Sequence, residues 1–359
     1  MKIVSVVGAR PQFIKAAPVC RVLRQRHEEI LVHSGQHYDH GMSAVFFEEL
    51  GIPEPDYNLA VGSGAHGQMT GMMLVQLEEL LIELAPDLVL VYGDTNTTLA
   101  AVLAAVKLQT PCAHVEAGLR SFDRTIPEEI NRITADHLSE LLLCPTQEAM
   151  VNCDREGLAD RAVLVGDVML DTLRIFSEKI DDAAVLAERG LAPGGYFYST
   201  THRPSNVDDR DILEGIVQAF GRLDLPVVWA VHPRTRASLR AFGLAEAVAS
   251  DPNIIDIDPV PYIEGVTLLR NAAAMITDSG GMQKEAYFLG VPCVTLRDQT
   301  EWVETVEHGW NTLAGTDPKG LLAAAAARPR PSERPAVYGE GHAAEEIVAA
   351  IENRFGGSA

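Results

Sequence analysis

No stretch of this sequence approaches the roughly 18 consecutive apolar residues that a membrane-crossing helix needs. Its apolar runs, such as "DLVLVYGD" at 87–94, are short. A transmembrane helix is therefore not expected. The opening "MKIVSVVGARPQFIK" holds only about five apolar residues before Gly8 and Arg10 and has no small-residue cleavage pattern, too little for a secretory signal. The expectation is a soluble, cytoplasmic protein. Paired cysteines are also missing: Cys20, Cys112, Cys144, Cys153 and Cys293 are odd in number, scattered, and never in a Cys-x-x-Cys pair. That argues against a disulfide framework or a zinc centre and for free, inert thiols. Positive charge is scarce, with 29 Lys and Arg against 50 Asp and Glu, a net charge of −21. Such a chain repels a phosphate backbone, so a nucleic-acid partner is not expected. An anionic small molecule would need local cations and helix N-termini. The Gly-x-Gly-x-x-Gly dinucleotide fingerprint is absent as well.

What is present is a repeated grammar. At 359 residues the chain exceeds one ordinary core and suits two domains. In the first half "KIVSVVG", "EILVHSG", "DLVLVYGD" and "PCAHVEAG" read as strands. Between them "PQFIKAAPVCRVLRQR", "MSAVFFEELG", "QMTGMMLVQLEELLIELA" and "TTLAAVLAAVKLQ" read as helices. Continuously apolar strands separated by helices indicate a parallel sheet covered on both faces, the doubly wound architecture. A connector, "DTLRIFSEKIDDAAVLAERGLAPGG", follows Asp167, and the alternation restarts with "YFYSTTH", "PVVWAVH", "NIIDIDP", "AMITDSG" and "PCVTLR". The expected architecture is α/β, two Rossmann-like domains facing a central cleft, residues 1–168 and 169–359. A proline-rich stretch leads to a final helix from about His342 to Arg354, expected to pack back on the N-terminal domain.

In such sheets ligands sit at the carboxyl ends of the strands, so polar residues placed there carry the functional signal. "VVGARPQFIK" is strand, glycine turn and helix, with Arg10 in the turn and Lys15 one helical turn inside; this is an anion site in outline. Asp94 ends its strand and is read either as a helix cap or as a site carboxylate. His114 and Glu116 end another, with Gly118 allowing a tight turn. If Asp94 and Glu116 share one edge, their proximity splits their pKa values. In the second half His202 with Arg203, and His232 with Arg234, stand at strand ends. "ITDSGGMQKEA" runs from a strand into Ser279, Gly280 and Gly281 and opens a helix. The glycine amides can approach a phosphate, and Glu285 can accept ribose hydroxyls; the competing reading is a helix merely capped by Ser279. Together these point to a nucleotide-linked substrate and proton transfer.

The motifs "GARPQFIK", "GDTNTT", "HVEAGLRS", "PEEINR", "THRPSN" and "TDSGGMQKEA", in this order from about residue 2 to the final helix, resemble the non-hydrolysing UDP-N-acetylglucosamine 2-epimerases, a family with a GT-B-type fold. The resemblance implies interconversion of UDP-GlcNAc and UDP-ManNAc through removal of the C2 proton, loss of UDP to give 2-acetamidoglucal, and re-addition with protonation on the opposite face. It implies no cofactor, no metal and a homodimer. Carried over by motif, Asp94, Glu116 and Glu128 are the acid/base carboxylates, with the face each serves left open. His202 belongs to the catalytic cleft; Arg10, Ser279, Gly280, Gly281 and Glu285 bind UDP, with Lys15 beside them. Arg203 and His232 complete the substrate-binding set. Glu129 and Asp123 are expected to be plain surface charges.

The chain departs from the common bacterial pattern in places. His-Arg-Arg-Glu-Asn is here His202, Arg203, Pro204, Ser205, Asn206, and an arginine expected to face the phosphates is Trp302. A Gln-His-x-Gln segment that serves a second, activating UDP-GlcNAc site is here Gln36, His37, Tyr38, Asp39, and a helix arginine is Met72. The expectation is an enzyme that turns over UDP-ManNAc without UDP-GlcNAc as activator, and these changes leave room for a modified substrate such as a diacetamido uronic acid. The rival readings are a GT-B glycosyltransferase, a hydrolysing epimerase and a silent nucleotide-sugar sensor. Three carboxylates exceed what simple transfer requires.

Overall fold

The structure is a computed structural model that describes residues 1–35, 54–177 and 181–357; the helix expected over 42–51 and the Gln36–Asp39 segment lie outside the described residues. The chain divides into two compact units, Met1–Ile175 with Ala336–Ala359, and Phe176–Pro335.

The first unit is built on a parallel sheet of seven strands: β1 Lys2–Val7, β2 Glu28–His33, β3 Tyr57–Asn58, β4 Leu88–Tyr92, β5 Cys112–Val115, β6 Leu141–Cys144 and β7 Ala162–Leu164. Their spatial order is β3-β2-β1-β4-β5-β6-β7. β4 is buried at every residue and β5 likewise, which is why neither shows the apolar–polar alternation of a half-exposed strand. Helices cover the faces. Asn96–Lys107 lies against His66–Leu84, and its Ala100, Ala101, Ala104 and Ala105 are fully buried, small side chains that let the two helix backbones come close.

The final helix, Ala343–Phe355, belongs to this first unit and packs on Arg10–Leu23. Its N-terminal amides at Ala343 and Ala344 donate to the Asp171 carboxylate at 3.1 and 2.7 Å, a cap supplied from far along the chain. Arg26 pairs with Glu352 at 3.1 Å.

The second unit carries six parallel strands: β8 Phe197–Thr200, β9 Val227–Ala230, β10 Ile254–Ile257, β11 Ala274–Thr277, β12 Cys293–Thr295 and β13 Asn311–Leu313, in the order β10-β9-β8-β11-β12-β13. Its core centres on Trp229, edge-on to Phe220 at 5.2 Å between rings, with the indole N–H donating to Thr201 Oγ1 at 3.0 Å.

Both sheets follow the Rossmann order, with the direction of winding reversing between β1 and β4 in one and between β8 and β11 in the other. These are the switch points at which such sheets open a crevice for ligands. Strands β3, β6, β7 and β13, two to four residues long, fall outside the runs read from the sequence. The stretch after Asp167 is not a plain connector: it holds the helices Val168–Ser177 and Asp182–Glu188. Among the described residues no helix is long and apolar enough to cross a membrane, and all five cysteines are free and buried.

Candidate active site

In the first unit the site is assembled by the turns that follow β1, β4 and β5. Arg10 opens the helix Arg10–Leu23; its side chain lies outside what the structure describes. Gln12, on the same helix, accepts the Gly8 amide at 2.8 Å and donates to the Tyr92 carbonyl at 2.7 Å, tying the β1 turn to the end of β4. One turn further, Lys15 Nζ stands 2.8 Å from Glu116 Oε1, with both side chains more than nine-tenths shielded from solvent. A Cβ on Gly93 would come within 3.0 Å of that ammonium, so Lys15 lies over the Gly93–Asp94 turn as well as beside Glu116.

Glu116 has φ +70°, a left-handed backbone that a side chain adopts at a cost of about 1–3 kcal/mol and that recurs at functional sites. Its amide and that of Ala117 both donate to the Leu143 carbonyl, at 3.1 and 3.2 Å. Gly118, at φ +79°, must be glycine, since a Cβ would meet the Ala149 carbonyl at 2.4 Å.

Asp94 does not cap the helix Asn96–Lys107, whose N-cap is Thr95. Its Oδ2 instead receives Arg132 Nε at 2.9 Å and Nη2 at 2.6 Å, and its carbonyl receives Asn131 Nδ2 at 2.8 Å. Arg132 also holds Glu129 at 3.0 Å. Here a sequence expectation is corrected. Glu129 is not a surface charge: it is 1% exposed and accepts from the Ser121 amide, the Ser121 hydroxyl and the Phe122 amide at 2.9, 3.0 and 2.9 Å. Four donors are reason enough for the carboxylate to leave water. Glu128, one residue earlier, is the exposed member of the pair on the first turn of the helix Pro127–Leu138. Asp123 accepts from the Thr125 hydroxyl and amide at 2.6 and 2.9 Å; those bonds hold its pKa below the ordinary carboxylate value.

In the second unit Asp278, fully buried just after β11, organises the site. It accepts the His202 amide at 2.9 Å, the Arg203 amide at 2.9 Å and Asn206 Nδ2 at 2.9 Å, and lies 3.0 Å from His202 Nδ1. Burial pushes its pKa up, but the His202 hydrogen bond and charge with the two backbone amides outweigh this and leave it lowered. His202 is thus oriented through Nδ1, with its side chain 41% exposed. His232 has a local task, accepting the Arg234 amide at 3.2 Å as the N-cap of Pro233–Ala241, while its ring sits 5.4 Å from that of His202. Arg234 pairs with Asp208.

Ser279 occupies the N-cap position of the helix Gly280–Leu289, but its hydroxyl makes no capping bond. Gly280 is crowded: a Cβ there would stand 2.6 Å from Glu301 Oε1 and 3.0 Å from Trp302 Nε1. Arg297 holds Glu301 at 2.9 Å, and Arg203 lies 4.0 Å from it. Trp302 is buried under Lys284, whose Nζ lies 3.9 Å from the ring centre. Glu285 is buried on the same helix. Met72 is 43% exposed on the helix His66–Leu84. Among the described residues no cluster of His, Cys, Asp and Glu is arranged to hold a metal ion.

Reading by motif missed Arg132 and the organising role of Asp278. Arg132 had a local signal, lying three and four residues beyond two glutamates on one helix face.

The family model of UDP-N-acetylglucosamine 2-epimerase matches residues 21–352. A UDP-N-acetylglucosamine 2-epimerase homologue of Methanococcus maripaludis is 48% identical over 356 residues, covering 98% of this chain and 100% of that protein. The UDP-2,3-diacetamido-2,3-dideoxy-D-glucuronate 2-epimerase of Pseudomonas aeruginosa is 49% identical over 323 residues, covering 88% of each. The crystal structure of Methanocaldococcus jannaschii UDP-GlcNAc 2-epimerase in complex with UDP-GlcNAc and UDP superposes with a TM-score of 0.91 at 41% identity, covering 98% of this chain and 100% of that one. With this coverage and two Rossmann-ordered sheets, the chain has the GT-B-like fold and belongs to the UDP-N-acetylglucosamine 2-epimerase family.

Proposed function

We propose that this protein interconverts UDP-GlcNAc and UDP-ManNAc without net hydrolysis, acting in the cytoplasm as a homodimer. The observation that carries the reading is the Lys15–Glu116 pair, a shielded carboxylate on left-handed backbone at the edge of the β1/β4/β5 crevice, in a chain of this family. In the forward step a carboxylate takes the C2 proton, the electron pair of that C–H bond forms the C1=C2 double bond, and the C1–O bond breaks with its pair leaving on UDP. In the return step the UDP oxygen adds to C1 and a proton is delivered to the other face of C2. Atoms and electrons balance with no redox change.

Asp94, Glu116 and Glu128 are the groups for the two proton transfers; a weakly acidic C2 proton needs a strong base, and of the three Glu116 is the one shielded from water. The charge growing on the departing UDP is met by Arg10, His202, Arg203, His232 and the amides at Ser279, Gly280 and Gly281, and Glu285 accepts ribose hydroxyls in this reading. Lys15, bonded to Glu116, serves in this reading as the cation of the first-unit site.

A second substrate has a specific observation behind it: the relative that is 49% identical acts, by its name, on a UDP-2,3-diacetamido uronate. Incubation of the protein in deuterated water with each UDP-sugar separately, followed by NMR, tests both. Deuterium at C2 of an intact UDP-sugar is the expected result, and the better substrate identifies the sugar. Release of free sugar with UDP would indicate a hydrolysing enzyme, and absence of exchange with both sugars would sink the reading.

A further inference from the structure

We propose that His114 and Asp136 are positioning residues for the C2 proton transfer, a buried imidazolium–carboxylate pair that locks together the two turns carrying Asp94 and Glu116. The inference rests on the functional reading above, which makes those carboxylates the acid/base groups.

His114, on β5, and Asp136, on the helix Pro127–Leu138, are both fully buried. His114 Nε2 stands 2.7 Å from the Gly93 carbonyl oxygen, and Nδ1 stands 2.7 Å from Asp136 Oδ1. A carbonyl only accepts, so Nε2 carries a proton. Nδ1 faces a carboxylate at the same distance, where two lone pairs would repel, so it carries one too. Asp136 is held ionised by the Arg120 guanidinium, whose Nη1 donates to its other oxygen at 2.6 Å beside the Gly118 amide at 3.0 Å. Burial raises its pKa, yet the His114 and Arg120 bonds and charges leave it net lowered.

Around the pair, Arg120 forks onto Glu156 through Nε and Nη2 at 2.7 Å each, His137 lies 3.2 Å from Glu156, and the Cys144 thiol is near enough to feel Asp136 and Arg120. Two cations, His114 and Arg120, alternate with two carboxylates, Asp136 and Glu156, which satisfies the demand that buried charge be paired. Mechanically the pair grips the Gly93 carbonyl, one residue before Asp94, and the Gly118 amide, two residues after Glu116. A misplacement on the order of 1 Å costs about 100-fold in rate.

Two measurements decide the matter. In protein labelled with nitrogen-15 histidine, the proposal expects both ring nitrogens of His114 to carry protons in the unmodified protein, as their two acceptors require, and one of them to be bare in Asp136→Asn. A neutral His114 in the unmodified protein overturns the charged clamp. In C2 deuterium exchange, Asp136→Asn is expected to lower kcat about 100-fold with KM and UDP affinity little changed. His114→Gln, which keeps one N–H for the Gly93 carbonyl, should retain more activity than His114→Leu. Equal losses in both, tracking their thermal midpoints, would mean a purely structural pair. Failure of the unmodified protein to exchange at all overturns the functional reading and the positioning role with it, while the nitrogen-15 result still decides the clamp.

Discussion

Lys15 Nζ and Glu116 Oε1 stand 2.8 Å apart and almost wholly out of solvent, although 101 residues separate them. The contact exists because β1 and β5 both flank β4, so the helix after β1 and the turn after β5 rise from one edge. Removing one partner of a buried pair costs about 3–5 kcal/mol. Lys15→Met should therefore lower the thermal midpoint by several degrees and suppress C2 exchange; an unchanged midpoint would show that the pair is not closed off from water.

Glu128 and Glu129 should separate sharply under the same substitution. Glu128→Gln, on an exposed helix turn, should leave thermal stability within about 0.5 kcal/mol and abolish exchange while UDP still binds. Glu129→Gln loses charge-assisted bonds from Ser121, Phe122 and Arg132, so it should destabilise by about 1–3 kcal/mol and slow exchange through the freed Arg132–Asp94 contact. Melting curves and exchange rates on both variants make the comparison.

Asp278→Asn should weaken the orientation of His202, since one amide oxygen cannot replace a carboxylate serving His202, Arg203 and Asn206. A fall in kcat of at least about 10-fold is expected. The sign of the acid dependence follows from the lowered pKa: the contribution to stability is complete above the ordinary value of 3.8 and is lost as pH falls through the lower folded value. Acid unfolding of the unmodified protein should thus be steeper below pH 3.8 than that of the variant.

Gly280→Ala should reduce UDP affinity. Its Cβ would fall 2.6 Å from Glu301 Oε1 and 3.0 Å from Trp302 Nε1, and the displaced side chains would crowd the helix N-terminus. Overpacking of this kind costs about 1–3 kcal/mol, and calorimetric titration with UDP reads the loss. Undiminished binding would mean that UDP does not rely on this helix end.

His33 supplies a dependence at milder pH. It is buried at the end of β2 and accepts the Gly35 amide through Nδ1 at 2.6 Å, and burial pulls its pKa from 6.5 down to about 4. The unfolded chain therefore binds the proton first, and stability present above pH 6.5 is lost on descent to about 4, by about 3 kcal/mol. His33→Asn keeps an acceptor for Gly35 without the titration, so its melting temperature should fall less between those limits. Asp171, raised to about 6 by burial, works in the opposite direction in both proteins and cancels from the comparison.

The apolar runs "IVSVV", "LVLVY" and "CAHV" determined by themselves that buried parallel strands would form, because an unbroken run has no polar face to show water. The residues after these runs, and after "YFYST" and "AMIT" in the second half, determined that Asp94, Glu116, His202 and Ser279 would stand at strand ends. The tertiary structure decided what each residue meets there. Which of two adjacent glutamates turned inward depended on the donors of Ser121, Phe122 and Arg132, and a charge pattern along one helix cannot report donors that arrive from a loop. Lys15 met Glu116, and His114 met both Asp136 and the Gly93 carbonyl, through strand order, which local pattern does not encode. The final helix joined the first unit because its amides found Asp171 and its side chains the helix Arg10–Leu23, contacts between segments more than 150 residues apart. Local propensity places residues on elements; the free energy of pairing buried charge is settled only when those elements meet.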